Sequence, residues 1–465
     1  MTMLGSRSLL SLSLLRSCLQ TLRMSSMFRA ALMLGAAAAT NATHPVTITN
    51  CGVQNTIATA PSRIITLNQG ATELLLGMGL ASSMVGTAYL DDSMWPRYAA
   101  AYSQIPVLSS GYPNETHLMS YNPDFLVASY NSAFRAQYTR SNGRVSGIFT
   151  DATVGPCAGF GSDWGQDWTT CRPQLHAAGI GTYVFEDSCE DTSLRPATVT
   201  EDIVYDEMRT LGSVFGVDVE PMITDMKADF DQAAALVSSG MHGSPLKSVW
   251  LDCTDCCDTE PGEEEQVFVG GGAGAPNLLM QEGGLSNVFA DRAGNWACVN
   301  VSDIIAAAPD VIVVVDASWD SAIDKIKWMY NDAEFCKLEV LRAARFVSIP
   351  FSASTLGPRN GPAALDLAMA ALHVRTGSQT ATQESGVGSF SPFFLQAQTS
   401  CQLCPLSVAH VIYDDTSGTT YDPLCTTTTT TTTTTTNMPN NEVSQAGLAC
   451  LSSFVAALGA LPLFA

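Results

Sequence analysis

The chain has 465 residues, enough for two or three ordinary domains, and 46% of them are hydrophobic, so a large core is possible. It carries 22 Lys plus Arg against 44 Asp plus Glu, a formal net charge of −22 at pH 7. This acidity excludes a protein that holds nucleic acid through its phosphates, whereas cationic or metal-bearing ligands remain acceptable.

Residues 1–42 are predicted to form an N-terminal extension that ends in a secretory signal peptide. Arginines punctuate its apolar segments, and no acidic residue precedes Glu73. Met27-Phe28-Arg29 leads into the apolar, small-residue run Ala30–Ala39, which is typical of a charged region followed by a cleavage zone. An organelle transit peptide and a start site placed too early are the alternatives.

Residues 43–197 are predicted to form a first α/β lobe. The β-branched run Arg63–Leu67 indicates a buried strand, and Thr72–Leu76 indicates the helix that follows it. Further along, Asn122-Pro123-Asp124 opens a second apolar strand, which runs to Ala128 and ends at an aromatic loop.

Residues 198–220 are predicted to form a long connecting helix, because Val199–Leu211 is helical in its apolar pattern. Pro221–Ser238 continues as the first helix of the next lobe. A stiff helical connection disfavours a large hinge closure.

Residues 221–380 are predicted to form a second α/β lobe that repeats the plan of the first. Ser248–Leu251 indicates a strand, and Leu278-Leu279-Met280 indicates a helix after it, with an acidic loop, Cys253–Glu265, between them. Ala308-Pro309-Asp310 then opens a strand as Asn122-Pro123-Asp124 does. The fold class is therefore α/β, with two Rossmann-like lobes and a ligand cleft between them.

The C-terminal region indicates a surface tether. Residues 381–425 are predicted to be a Cys-containing tail, residues 426–445 a Thr-rich stalk of the O-glycosylated kind, and residues 446–465 an apolar anchor signal. No Lys or Arg follows the apolar segment, which favours a glycosylphosphatidylinositol anchor over a single C-terminal transmembrane helix. Three sequons, at Asn41, Asn114 and Asn300, fit a glycoprotein.

The sequence contains 14 cysteines, and an even number in an exported chain favours disulfides. Local pairs are expected within three groups, which are Cys157, Cys171 and Cys189, then Cys253, Cys256 and Cys257, then Cys401, Cys404 and Cys425. A metal–thiolate site in Cys253–Asp258 is the alternative, although no histidine lies nearby.

From Val46 to Arg375 the chain resembles the periplasmic solute-binding proteins of ABC importers for ferric siderophores, haem and cobalamin. The resemblance is carried by Pro61–Leu67 with Thr72-Glu73-Leu74, by Asn122-Pro123-Asp124 and Arg209–Gly212, and in the second lobe by Phe268–Pro276, Pro309–Val313, Asp316–Asp320 and Val347–Arg359. It implies two lobes joined by one helix, with a ligand between them, here in a eukaryotic, surface-anchored form.

The resemblance also exposes a departure. Family members that dock on a permease usually carry a glutamate seven residues before the proline of each Pro-Asp motif. Here Thr116 and Ser302 occupy those positions, with Glu115 and Asp303 alongside. Delivery by endocytosis or to another surface protein is the expected alternative to a permease.

Candidate ligand-binding residues follow the predicted strands, because ligands of open α/β sheets lie beyond the carboxyl ends of the strands. They are Asn68, Gln69, Gly70, Tyr89, Tyr130 and Phe134 in the first lobe, and Gly271, Gly272, Trp319 and Arg359 in the second. The aromatic side chains would form walls, and Arg359 could clamp an anionic oxygen. A dinucleotide is disfavoured for the glycine run Gly270–Gly274, since Pro276 follows it.

The function predicted from these residues is the extracellular binding of a metal-chelate-sized molecule, a ferric siderophore first, for iron uptake at the cell surface. Cobalamin and haem are the alternatives within the same class. An adhesion or structural surface protein and a secreted enzyme are the alternatives of another class. No nucleophile elbow, zinc-protease helix or phosphate-binding loop is present, so no catalytic residue, metal site or cofactor is expected.

Overall fold

A computed structural model describes residues 44–139, 145–149, 155–157, 170–239, 244–257, 262–343, 345–376 and 392–393. The helices are α1 (Gln69–Gly77), α2 (Ala99–Tyr102), α3 (Glu115–Ser120), α4 (Arg172–Ala177), α5 (Glu201–Phe215), α6 (Glu220–Ser238), α7 (Ala275–Glu282), α8 (Val301–Ala307), α9 (Ala322–Asn331), α10 (Glu339–Arg342) and α11 (Asn360–Thr376). The strands are β1 (Val46–Asn50), β2 (Val53–Ile57), β3 (Ile64–Leu67), β4 (Met84–Ala88), β5 (Val107–Ser109), β6 (Phe125–Ala128), β7 (Tyr138–Thr139), β8 (Val145–Ser146), β9 (Gly181–Val184), β10 (Leu246–Cys253), β11 (Gln266–Gly270), β12 (Leu285–Asn287), β13 (Trp296–Asn300), β14 (Val311–Asp316), β15 (Phe346–Pro350) and β16 (Pro392–Phe393).

The first lobe is built on a parallel sheet of five strands in the order β5-β4-β3-β6-β9. Its central strands β3 and β6 are buried at every position, as expected for a parallel sheet covered on both faces. The two strands lie side by side, with Ile64 opposite Phe125 and Leu67 opposite Ala128. Both strands that the sequence predicts here are confirmed.

The second lobe is built on a mixed sheet in the order β13-β11-β10-β14-β15-β16, with β12 also paired to β10. Strands β10, β14 and β15 are parallel, as the repeated plan predicts. Strand β11 is instead antiparallel to β10, and β13 is antiparallel to β11. The second lobe therefore repeats the central parallel strands of the first lobe but not this edge. Here the acidic loop joins β10 directly to the antiparallel strand β11.

Two consecutive helices, α5 and α6, connect the lobes where the sequence predicts a connecting helix. Thr200 caps α5 through its side-chain oxygen, which accepts from the backbone N–H of Ile203. Gly216 ends α5 in the left-handed conformation, with φ of 69°, which glycine adopts without a steric penalty. The connection therefore turns after Phe215 and is not one continuous rod.

Four disulfides are described, Cys51–Cys189, Cys157–Cys171, Cys253–Cys256 and Cys257–Cys298. The local pairs Cys157–Cys171 and Cys253–Cys256 agree with the sequence prediction. The local grouping is wrong for Cys189, whose partner is 138 residues away, and for Cys257, whose partner is 41 residues away. Since Cys253 and Cys256 are bonded to each other, the thiolate-metal alternative loses its donors.

The two lobes meet through a buried ion pair that crosses 286 residues of sequence. The guanidinium of Arg359, in the second lobe, donates from Nε to Oε2 of Glu73 at 2.6 Å and from its NH2 group to the other carboxylate oxygen. The side chains are 3% and 1% exposed. The same NH2 group lies 3.8 Å from Asp92, whose carboxylate accepts the backbone N–H and hydroxyl of Ser352. We call this set of groups the interlobe network.

Close backbone packing accompanies the interlobe network. A Cβ atom on Gly70 would lie 2.2 Å from the hydroxyl oxygen of Thr355, so only glycine lets α1 approach the second lobe this closely. The largest hydrophobic cluster likewise contains side chains of both lobes, among them Leu75 and Leu356. The lobes are therefore packed against each other as one core.

Within the part of the chain that the structure describes, no helix has the length and apolarity needed to cross a membrane. The predicted signal peptide, Thr-rich stalk and anchor signal lie outside the described residues.

Breaking the interlobe network should destabilise the whole fold. Glu73→Gln leaves the Arg359 charge buried with a weaker acceptor, so the free energy of unfolding should fall by about 3 kcal/mol. Denaturant unfolding measures this change. The matched control is Glu220→Gln, which removes an exposed partner of Arg209 and should change stability by less than about 1 kcal/mol. Equal effects of the two substitutions would contradict the role assigned to the network.

Candidate binding cavity

A cavity of about 370 Å³ lies between the lobes. It is bordered by residues that follow β3, β4, β6 and β9 in the first lobe and β10, β14 and β15 in the second. Ligands of open α/β sheets bind at this end of the strands, and small-molecule sites have volumes of about 300–1,000 Å³. Position and size therefore identify the cavity as the candidate site.

Aromatic side chains from both lobes form its walls. Tyr89 and Tyr112 of the first lobe meet edge to face at 4.7 Å between ring centroids. Trp319 and Phe351 of the second lobe do the same at 5.5 Å, and Trp296 lies 6.3 Å from Tyr130 across the cavity. Such walls offer flat apolar faces together with hydroxyl and indole donors.

Three buried carboxylates, Asp91, Asp187 and Asp252, also line the cavity. Asp252 accepts from the indole N–H of Trp296 at 2.9 Å, and Asp187 accepts from the side-chain amide of Asn295 at 3.0 Å. Asp91 accepts weakly from the backbone N–H of Gln69, at 3.4 Å.

Burial governs the ionisation of these carboxyls. It raises the pKa of Asp91 to about 8, with a further increase from neighbouring Asp92. It raises the pKa of Asp187 to about 7 although Arg195 opposes the increase, and that of Asp252 to about 6 although Lys325 opposes it. All three side chains therefore resist carrying charge while no cation accompanies them.

Strained backbone borders the cavity at two residues. Asn68 has φ of 77° and Tyr89 has φ of 59°. Positive φ is tolerated by asparagine but is a true outlier for a bulky aromatic residue. Such strain clusters at functional sites, where the surrounding structure maintains it. At Asn68 and Tyr89 it fixes the side chains at the ends of β3 and β4.

Three buried donors near the cavity have no hydrogen-bond partner among the described residues. They are the amide nitrogens of Asn68 and Asn131 and the hydroxyl of Tyr130. Asn68 and Asn131 are only 1% and 7% exposed. Buried polar groups are normally satisfied, so these donors indicate where ligand acceptors would bind.

Of the ten residues predicted from the sequence, four line the cavity, namely Asn68, Tyr89, Tyr130 and Trp319. They share one property, since each stands directly after a parallel strand or in the loop that follows it. Ligand contact by these four stays a prediction.

Gln69, Gly70 and Arg359 belong to the interlobe network instead. The side-chain amide of Gln69 donates to Glu73 and Asp92 at 3.0 and 2.6 Å, and its carbonyl accepts from the backbone of Asp91. The guanidinium of Arg359 is held by Glu73 in a buried pair and does not line the cavity, so ligand contact by Arg359 has no support from this geometry and stays a prediction. These residues hold the loop that carries Asp91.

Phe134, Gly271 and Gly272 also lie away from the cavity lining. Phe134 is fully buried in the core of the first lobe. The backbone N–H groups of Gly271 and Gly272 donate to Asn295 and Arg292, and a Cβ on Gly272 would lie 2.1 Å from the carbonyl of Ala290. The glycines are therefore required by the adjoining chain segment and not by close approach to a ligand.

Sequence reasoning missed much of the lining. Asp252 could have been found, because it follows the predicted strand Ser248–Leu251 directly. Asp187 lies in the segment after β9, and Trp296 begins the antiparallel edge strand β13. No sequence motif marked either position. Tyr112, Asn131, Phe268 and Phe351 complete the missed residues that define the cavity walls.

The two positions where family members carry a glutamate are exposed here. Thr116 and Ser302 both lie on the surface. Glu115, beside Thr116, is 3% exposed and accepts from the backbone N–H of Cys157, so it faces inward. Asp303, beside Ser302, forms a half-exposed ion pair with Arg292 at 3.6 Å. Glu115 therefore cannot present its charge to a partner surface.

The raised pKa values of the cavity carboxyls predict how stability depends on pH. Between the ordinary value of 3.8 and about 6–8, the folded state holds protons that the unfolded state has lost. The free energy of unfolding should therefore decrease as the pH rises from 4 to 8. Asp91→Asn should raise stability at pH 8 by about 4 kcal/mol more than at pH 5. Denaturant unfolding at several pH values tests this, with exposed Asp231→Asn as the control. Parallel pH profiles of wild type and Asp91→Asn would contradict it.

Comparison with known proteins supports the fold. No protein-family model matches the sequence, and no curated protein matches it significantly. Among solved structures, a periplasmic binding protein from Veillonella parvula aligns with a TM-score of 0.51 and 20% identity, over 70% of this chain and 96% of that chain. An ABC-type Fe3+-hydroxamate transport system protein from Saccharomonospora viridis aligns with a TM-score of 0.50 and 21% identity, over 72% and 100%. The chain therefore has the two-lobed α/β fold of the periplasmic solute-binding proteins, as the sequence resemblance predicts.

Proposed function

We propose that the protein binds a metal-chelate-sized small molecule, a ferric hydroxamate siderophore first, in the cavity between its lobes. The observation that carries the proposal is the aromatic, donor-bearing cavity at the carboxyl ends of the strands of both sheets. The fold is shared with a protein described as an Fe3+-hydroxamate transport system, which supports this ligand class.

The size of the cavity ranks the alternative ligands. A volume of about 370 Å³ lies near the lower end of the range for small-molecule sites. A corrinoid is much bulkier than a trihydroxamate and would require the interlobe network to open. Haem carries two carboxylates, which would approach the buried Asp91, Asp187 and Asp252. A ferric hydroxamate is smaller than a corrinoid and carries no free carboxylates.

Binding without turnover accounts best for the cavity lining. Its acidic groups are held in place by indole and amide donors, and among the described residues no histidine or free cysteine faces them. We therefore propose a receptor and not an enzyme.

We propose that the protein acts outside the cell, tethered to the surface through a lipid anchor at its C-terminal segment. The four disulfides support an oxidising compartment. Asn114, the first residue of a sequon, is exposed, so its side chain would be accessible for a glycan. Burial of Glu115 supports delivery to a surface partner or by endocytosis over docking on a bacterial-type permease.

Ligand titration of the secreted ectodomain tests the proposed function. A ferric hydroxamate should quench the fluorescence of Trp296 and Trp319 saturably, and native mass spectrometry should show one bound chelate. Ferric catecholate, haem and cobalamin should bind less tightly or not at all. If none of the four ligands binds, the result would support an adhesion or structural role. Chemical conversion of any of them would support an enzyme.

A tyrosine pair provides the matched mutational control. Tyr130→Ala removes a cavity wall and an unpaired donor, so Kd for the ferric hydroxamate should rise at least about tenfold. Tyr102→Ala removes a tyrosine outside the cavity lining and should leave Kd unchanged. An unchanged Kd in Tyr130→Ala would overturn the assignment of this cavity.

A further inference from the structure

Three buried acidic side chains line the cavity. Asp91, Asp187 and Asp252 are 4%, 4% and 2% exposed, and they come from both lobes. All three line the same cavity as Tyr130. Among the residues that the structure describes, none of the three carboxylates forms a salt bridge with lysine or arginine.

The hydrogen bonds of these carboxylates come from neutral donors and leave part of their acceptor capacity unused. An ionised carboxylate can accept about four hydrogen bonds. Asp252 accepts from Trp296 and also interacts with the indole of Trp250, and Asp187 accepts from the side chain of Asn295. Asp91 interacts with the backbone of Gln69 and the indole of Trp319. Burying a charge with so few partners is costly, and a positive group placed among the three would offset that cost.

Two cations, Arg135 and Arg195, line the cavity, but no described salt bridge joins either of them to the three aspartates. Arg135 forms a two-point pair with Glu190, at 2.6 and 3.0 Å, which cancels its charge. Arg195 donates to the backbone carbonyl of Cys189 at 2.6 Å and acts on Asp187 only at a distance. Lys325 pairs with Asp320 at 3.0 Å. The described lining therefore gives the three carboxyl groups no direct cationic partner, and a ligand cation would be that partner.

The remaining walls suit a cation with oxygen acceptors attached. Aromatic faces, here those of Tyr89, Tyr112 and Trp319, attract positive charge. The unpartnered amides of Asn68 and Asn131, both more than nine-tenths buried, can donate to oxygen atoms of the same ligand. Because both kinds of group line one cavity, they fit a single ligand that has a positive group at one end and oxygen acceptors at the other.

We propose that the cavity selects a chelate that carries net positive charge, with its positive group among Asp91, Asp187 and Asp252 and its oxygen acceptors toward Asn68 and Asn131. The inference rests on the proposed function and names the chemical class of the chelate. It assigns ligand selection to three aspartates that were not among the candidate ligand-binding residues.

A matched pair of chelates tests the proposal. Ferrioxamine B carries a pendant ammonium group, and its N-acetylated derivative has the same iron centre without that charge. Titration of the ectodomain by tryptophan fluorescence should give a Kd for ferrioxamine B roughly tenfold or more below that of the acetylated form, as expected for one charged hydrogen bond.

Two substitutions connect this preference to the cavity. Asp252→Asn should reduce the ratio of the two Kd values toward one mainly by weakening ferrioxamine B binding, because it removes charge and keeps the shape. Exposed Asp231→Asn removes the same charge from α6 and should leave the ratio unchanged. A preserved far-UV and near-UV spectrum of Asp252→Asn, with unchanged affinity for the acetylated form, shows that the variant is folded.

The outcomes separate the two proposals. Equal binding of both chelates, or a ratio that Asp252→Asn does not change, would overturn charge selection and leave chelate binding intact. Tighter binding of the acetylated form would also overturn it. Failure of every ferric chelate to bind would overturn the proposed function, and charge selection would fall with it.

Discussion

The buried pair between Arg359 and Glu73 is the interaction on which the rest of the structure depends. It joins the two lobes through residues that are 286 positions apart in sequence, and both side chains are shielded from water. A charge in such a place is stable only while its partner is present, so the pair specifies one arrangement of the lobes. Asp92, Gln69 and Ser352 extend the pair and connect it to the loop after β4.

This network explains why the cavity has fixed walls. Gln69 holds the backbone of Asp91 and Asp92, and the carbonyl of Asp91 accepts from the backbone N–H of Ser318 in the second lobe. Asp187 and Asn295 make a second bridge on the opposite side of the cavity. Ligand groups therefore meet side chains that are already in place, which reduces the entropy lost on binding. The same rigidity requires any large ligand to break contacts before it enters.

The charge of the cavity differs from what the sequence suggested. Arg359 was the one cationic candidate, and its use in the interlobe network leaves a lining dominated by carboxylates and aromatic rings. An arginine that the sequence suggests as a ligand-binding group can instead be paired with an acidic residue far along the chain. Only the packing of α1 against the segment after β15 reveals that partner.

Local sequence patterns determined the class of the fold and its central strands. Runs of β-branched residues such as Ile64–Leu67 and Val311–Val315 are fully buried parallel strands, because apolar side chains on both faces leave no other stable environment. The same patterns led to Asn68, Tyr89, Tyr130 and Trp319, since strand ends of one sheet meet at one edge. Tertiary structure alone decided the partners of Cys189 and Cys257, the antiparallel edge that brings Trp296 to the cavity, and the roles of Gly271 and Arg359. Each depends on contacts between residues distant in sequence, and no local periodicity encodes which of two distant segments will meet.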